Sequence, residues 1–115
     1  MMYDNRITGL LLTISSTAAP YEFVLHQSYP NPFTPEPSIR FDVPTASRVT
    51  LKIFDVQGRE VRVLARDLPY EAGRYEESFD ASFLSSGMYY YCFVAQSLEE
   101  GNTLFQSVKE MVLIR

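Results

Sequence analysis

A chain of 115 residues, 46% of them hydrophobic, is long enough for one two-layered core and too short for a second domain of any size. Ten basic residues against fourteen acidic ones leave a net charge of −4. No window gathers Lys or Arg into the basic face that a phosphate backbone requires, so nucleic acid is excluded as a partner. Eight Tyr and eight Phe with no Trp lean toward strands, and the single cysteine, Cys92, excludes an intramolecular disulfide.

In residues 7–14 an apolar run with two threonines follows Arg6 and precedes small residues, the layout of a secretory signal peptide. Asp4 ahead of the run, and the threonines within it, suit a β-strand of about eight residues better. No run approaches the ~20 apolar residues of a membrane-spanning helix.

Four prolines between positions 30 and 37, in Tyr29-Pro30-Asn31-Pro32-Phe33-Thr34-Pro35-Glu36-Pro37, exclude a helix or a central strand there. Each proline also pushes the residue before it toward extended conformations, which predicts a stiff strap anchored by Tyr29 and Phe33. Such a strap could serve as a ligand for an aromatic-lined groove, but plugging the open end of its own domain is the favoured reading.

Beyond the strap the apolar residues recur with the period of two that marks half-buried strands. Ile39, Phe41 and Val43 alternate with polar residues up to Pro44, and Val49, Leu51 and Ile53 share one face of the next strand, residues 48–54. Asp55-Val56-Gln57-Gly58 carries aspartate at the first and glycine at the fourth position of a tight turn, and residues 59–64 return from it. Residues 65–72, polar and holding Pro69, read as a connection, and Gly73 opens a strand through Tyr75 to Phe79. On that strand Glu77 falls on the apolar side, which requires an edge position or a basic partner such as Arg74 or Lys52. After a loop at 80–86, residues 88–95 place Tyr89, Tyr91 and Phe93 on one face and Met88, Tyr90, Cys92 and Val94 on the other, as a central strand does. Glu99-Glu100-Gly101-Asn102 turns the chain into a last strand, residues 104–114. With residues 7–14 this makes seven strands and predicts an all-β, immunoglobulin-like β-sandwich.

Seven pieces of the sequence then stand in a telling order: Tyr29-Pro30-Asn31-Pro32-Phe33, Ile39-Arg40-Phe41, Val49-x-Leu51-x-Ile53-Phe54-Asp55-x-x-Gly58-Arg59-x-Val61, Ala72-Gly73-x-Tyr75, Phe79-Asp80, Ser86-Gly87-Met88-Tyr89-Tyr90-Tyr91 and Lys109-x-Met111-Val112-Leu113-x-Arg115. Together they resemble the C-terminal sorting domain of type IX secretion cargo, from about Phe23 to Arg115. The resemblance implies an immunoglobulin-like sandwich related in fold to a domain of the flagellar hook-capping protein. It implies a cargo that passes through the periplasm and is carried across the outer membrane to the cell surface or the exterior. The implied partners are the outer-membrane secretion translocon, its surface processing machinery and an upstream passenger domain. On this reading residues 1–20 are an extension left from the passenger, its last strand or a linker, and residues 21–115 are the sorting domain. The implied recognition residues are Tyr29, Pro30, Asn31, Pro32, Phe33, Gly58, Gly73, Asp80, Gly87, Lys109, Met111, Val112, Leu113, Ile114 and Arg115. None of them is catalytic.

Other chemistries find less support. Asp55 and Gly58 lack the alternating carboxylates of a calcium loop, and His26 has no neighbouring Cys, His or paired carboxylate in the sequence, so neither a metal nor a cofactor is expected. Tyr89, Tyr90 and Tyr91 could stack on a sugar, as in a carbohydrate-binding or adhesive module, but alternation sends Tyr90 to the opposite face and favours core packing. Nothing cationic flanks Cys92, so a passive thiol is expected, and no nucleophile, base and acid set for a hydrolase is present. In the last strand Met111 and Leu113 should face the core, while Val112 and Ile114 form a second apolar face that a partner, or a homodimer through exposed strands, would cover.

Overall fold

The computed structural model describes residues 19–30 and 36–114, in which every regular element is a strand. The strands are β1 (Val24–Leu25), β2 (Ser38–Val43), β3 (Ser47–Asp55), β4 (Glu60–Tyr70), β5 (Gly73–Ser78), β6 (Gly87–Ser97) and β7 (Thr103–Leu113). They form two antiparallel sheets, β1-β2-β5 and β4-β3-β6-β7. The predicted strand at 7–14 lies outside the described residues. Among the described residues the seventh strand is β1, whose two residues are too few to display an alternation. Because β4 pairs with β3 rather than with β5, the larger sheet gains the fourth strand that an antibody constant domain gives to the other sheet.

The period of two is realised in the core. Ile39, Phe41 and Val43 of β2 face Val49, Leu51 and Ile53 of β3 and Tyr91, Phe93 and Ala95 of β6, all nine at 0% exposure. Phe41 bridges the layers, with its ring centroid 5.0 Å from Phe93, 5.4 Å from Tyr70 and 5.6 Å from Tyr75. Aromatic contacts at such distances add specificity to the burial that drives the layers together.

The expected connection at 65–72 proves to be mostly strand, since β4 runs through Pro69 to Tyr70. An edge position explains it, because proline costs an edge strand no ladder bond on its open side. The register breaks near Asp67, at φ 53, which Arg48 holds through Nε to Oδ1 (3.0 Å) and Nη2 to the carbonyl (2.9 Å). Past this irregularity Tyr70 turns its ring under Phe41. Its hydroxyl donates to Glu77 Oε2 at 3.3 Å, on the edge strand β5, while Lys52 is held by Glu60 at 3.2 Å. An edge strand was one of the two situations the sequence allowed for Glu77, and a phenol rather than a cation is its hydrogen-bond partner.

The segment around β1 closes the side of the sandwich between β2 and β7. Phe23 stacks on Phe105 at 5.4 Å, and Gln27 Nε2 donates to the Glu110 carbonyl at 2.7 Å. Between these contacts the buried Tyr91 hydroxyl donates to the His26 carbonyl at 2.8 Å and accepts from the Ser28 amide at 2.8 Å. One phenol thus satisfies a donor and an acceptor of a segment that belongs to no continuous ladder. Tyr91→Phe should strand both groups and cost about 1–3 kcal/mol in denaturant unfolding, without loss of the β-sheet circular dichroism signal. Burial pushes the Tyr91 hydroxyl above its ordinary value of 10.0, against the pull of its hydrogen bonds to Ser28, and burial does the same to Tyr70 with help from Glu77. A raised folded-state value means stability that is complete below about pH 10 and lost as the pH climbs through the shifted range. Unfolding free energy should therefore fall on the alkaline side, and less steeply in Tyr91→Phe.

Candidate functional site

Strand register decides which of the sequence-selected residues are neighbours. Asp55, the last residue of β3, lies opposite Tyr89 near the start of β6, and Gly87 lies opposite Leu113, the end of β7. In the other sheet the start of β2 meets the end of β5 at Ser38 and Ser78, and residues 79–86 lead from there into β6. The Asp55 to Gly58 turn, the 79–86 loop, the mouth of the proline segment and the end of β7 therefore gather at one end of the sandwich. A cleft of about 360 Å³ opens there between the first two, walled by Val56, Arg59, Phe83, Met88 and Tyr89.

The turn is fixed by its aspartate. Asp55 Oδ1 accepts from the amides of Gln57 and Arg59 at 2.9 Å each, and Oδ2 accepts from Arg59 Nε at 2.8 Å. The Arg59 amide, and then the Arg59 side chain and the Gln57 amide, hold this carboxyl below its ordinary value against its partial desolvation. Gly58 sits at φ 83, a conformation that side chains with a Cβ resist. With its oxygens engaged in this way Asp55 shapes a turn, and among the described residues no three His, Cys, Asp or Glu side chains cluster as metal ligands would.

The loop at 79–86 seals this end by burying Phe79, Ala81 and Leu84 while leaving Phe83 58% exposed. Asp80 Oδ1 accepts from the Ser82 amide at 2.9 Å, an Asx turn that starts the reversal, and Tyr89 donates to the Ser85 carbonyl at 2.7 Å. Gly87 then enters β6 at φ 152.

Tyr29 and Ser38 exchange two backbone hydrogen bonds, of 2.9 and 2.8 Å, which bring the two ends of the proline segment together, while residues 31–35, where the predicted strap falls, lie outside the described residues. Tyr29 is 72% exposed, whereas at the other end of the segment Pro37 is fully buried and its carbonyl accepts from the Phe79 amide at 3.4 Å. Pro30 is half-buried beside Tyr29, and Asn31, Pro32 and Phe33 lie outside the described residues, as does Arg115.

In β7, Met111 and Leu113 face the core as expected, at 1% exposure each, whereas Val112 is half-buried on the other face and Ile114 is 58% exposed. Lys109 lies opposite Tyr91 on the inward side, half-buried. Gly73 is the residue that does not join the cluster. It pairs with Val43 at the far end, where a Cβ would come within 3.3 Å of the Tyr75 side chain.

The remaining candidates are structural. Tyr89 and Tyr91 are core residues and Tyr90 points the other way. His26 Nε2 lies 3.1 Å from Asp42 Oδ1, a partner sixteen residues away that only the sheet reveals. Burial pushes the half-buried Cys92 thiol up, in keeping with a passive role. Sequence reasoning missed the bonding of Tyr91, although a tyrosine at a core position of a central strand always poses the question of where its hydroxyl goes. It also missed Phe83, whose isolated place in a polar loop gave no periodic signal.

A comparison with protein families matches residues 27–105 to the secretion system C-terminal sorting domain. The chain belongs to this family. The match takes in well over half of the sequence and establishes the sorting domain as a C-terminal signal for type IX secretion, which directs export toward the outer membrane and the cell surface or exterior. A search of curated proteins finds no match. The matched stretch includes Tyr29 to Phe33, Gly58, Gly73, Asp80 and Gly87, and stops short of the 109–115 segment.

Two glycines of the sorting domain allow a direct check of the backbone argument. No atom stands within 4 Å of a Cβ built at Gly58 or Gly87, so any cost of substitution is conformational. Gly87→Ala should cost about 1–3 kcal/mol in denaturant unfolding. Gly58→Asn should be milder than Gly58→Val by about 1 kcal/mol, because asparagine visits the left-handed region and valine does not.

Proposed function

We propose that the end of the sandwich formed by the Asp55 to Gly58 turn, the 79–86 loop, the base of the proline loop and the end of β7 is the surface by which the outer-membrane translocon recognises a folded cargo. The observation that carries this reading is the convergence: segments far apart in sequence, all within the resemblance to sorting domains, are brought to one end by the strand register. Turns fixed by Asp55 and Asp80 hold that surface in one shape, which suits recognition of a folded label. The domain itself does no chemistry. Its cargo lies upstream, with residues 1–20 as the passenger's last strand or a linker, and it passes through the periplasm before surface processing. Gly73 acts at a distance from this surface, by packing under Tyr75.

Fusing residues 21–115 behind a periplasmic reporter, in a host with a type IX system, should bring the reporter to the cell surface or the medium. Retention of the reporter in the periplasm would refute the sorting role of this segment. Val112→Asp with Ile114→Asp should leave the isolated domain folded by circular dichroism and abolish export, because both side chains point away from the core. An unfolded double variant would reassign them to the core and remove that face from the recognition surface.

A further inference from the structure

Among the described residues ten large hydrophobic side chains stand exposed, and three of them wall one cleft. Val56 of the Asp55 to Gly58 turn is 66% exposed, Phe83 of the 79–86 loop 58% and Met88 at the start of β6 38%, and all three line the opening of about 360 Å³ at the proposed recognition surface. Exposed apolar side chains scattered singly are ordinary, but a concave group of them marks a place where a partner is received. The volume lies at the low end of ligand pockets and suits one or two inserted side chains rather than a cofactor. Charge beside the cleft is unevenly matched. Asp55, the carboxylate of the cleft wall, is engaged by Arg59 Nε and by two backbone amides, and Arg66 is held by Glu60 at 3.1 Å. Arg62 differs from both neighbours. Its guanidinium carbon lies over the Phe83 ring, 5.9 Å from the centroid, and among the described residues no carboxylate stands within ion-pair distance of it. A guanidinium placed over an aromatic face keeps its planar fork of N–H donors available to a second group.

We propose that the cleft receives a peptide segment of the secretion machinery in which a large apolar side chain adjoins carboxylates. The side chain enters between Val56, Phe83 and Met88, and a carboxylate takes the fork of Arg62. Charge complementarity decides this occupant. An apolar anchor alone would cover Arg62 and leave a desolvated cation without a counter-charge, which is costly, and a basic segment would be repelled by it. An anchor with a neighbouring carboxylate satisfies both halves of the site, the apolar pocket and the charge at its border. The proposal rests on the recognition role of this end of the sandwich and names the chemistry that the role requires of the partner.

The test titrates the tripeptide acetyl-Trp-Asp-Asp-amide into the isotope-labelled full chain, with acetyl-Trp-Lys-Lys-amide and acetyl-Gly-Asp-Asp-amide as comparisons. The first should shift the amide resonances of Val56, Phe83 and Met88, and the other two should bind about tenfold more weakly or not at all. Arg62→Gln should weaken binding roughly threefold, as the loss of an exposed ion pair does, and raised salt should weaken it in the wild type. Arg62→Glu should reverse the preference, so that the lysine peptide binds better than the aspartate peptide. Arg62 and Phe83 are both exposed, so their variants keep the fold, which circular dichroism checks. In cells, the full chain behind the periplasmic reporter should be exported, and Phe83→Ala and Arg62→Glu should each reduce that export several-fold. Absence of binding, equal binding of the two tryptophan peptides or shifts confined to residues away from the cleft overturns the proposal. If the wild-type fusion and both variants are exported at one rate, the cleft is not read, and the proposal falls while the sorting role stands. If the wild-type fusion itself stays in the periplasm, the sorting role falls and the proposed partner with it. Self-association of the chain that is abolished by Leu98→Ser, which removes the exposed apolar residue ahead of Glu99-Glu100, also overturns the proposal, because the occupant is then a second copy.

Discussion

The hydroxyl of Tyr91 is the point on which the arrangement of this domain turns. β1 contributes two residues to a ladder, too few to fix the path of the chain that precedes the proline loop. Beside the bond from the His26 amide to the Arg40 carbonyl at 2.9 Å, what holds it is a buried phenol on an inner strand of the other sheet, bonded to both His26 and Ser28. The bond ties the smaller sheet to the larger one at their open side, and it sets where Tyr29 stands when it meets Ser38. The proline loop therefore leaves the sandwich from a defined base, next to the buried Pro37 and the Phe79 amide. A hydroxyl in this position is costly unless both its capacities are used, and here they are. The same desolvation that raises the Tyr91 pKa is the reason the bond can hold.

The core itself was legible in the sequence because a period of two leaves few choices. Ile39, Phe41 and Val43, then Val49, Leu51 and Ile53, and then Tyr89, Tyr91 and Phe93 turn inward as the alternation required. Turns were legible where a residue type answers a backbone need, as Asp55 and Gly58 do. What the sequence concealed depended on neighbours in space. Proline at 69 reads as a strand breaker until β4 is known to be an edge, and a two-residue strand such as β1 has no pattern to read. Tyr29 looked like an anchor because it is aromatic, yet its backbone rather than its ring makes the contact. His26 looked solitary because Asp42 is brought to it only by the pairing of β1 with β2.

The candidate site was legible as a set of motifs and hidden as a surface. Asp55 to Arg59 is separated by a strand pair from the loop that holds Phe79-Asp80 and Ser86-Gly87, and nothing in their spacing says that they meet. Antiparallel topology makes them meet, since every second connection returns to the same end. Gly73 shows the converse, for it belongs to the same motif series and lies at the other end, where close packing against Tyr75 and not exposure accounts for the absence of a side chain.

Gly58 and Gly87 at positive φ, the Asp55 carboxylate and the Asp80 Asx turn lie at one end, while the hairpin at the opposite end has a positive-φ glycine of its own, Gly101. The amides of Gln57 and Arg59 donate to the Asp55 carboxylate and the Ser82 amide donates to the Asp80 carboxylate, so both side chains hold the contour of the backbone at this end. The same end carries Phe83 and Ile114, each 58% exposed, so a fixed contour and apolar contact area coincide. In the proposed recognition surface, that pairing of rigidity with exposed apolar area keeps the ordering entropy lost on contact small.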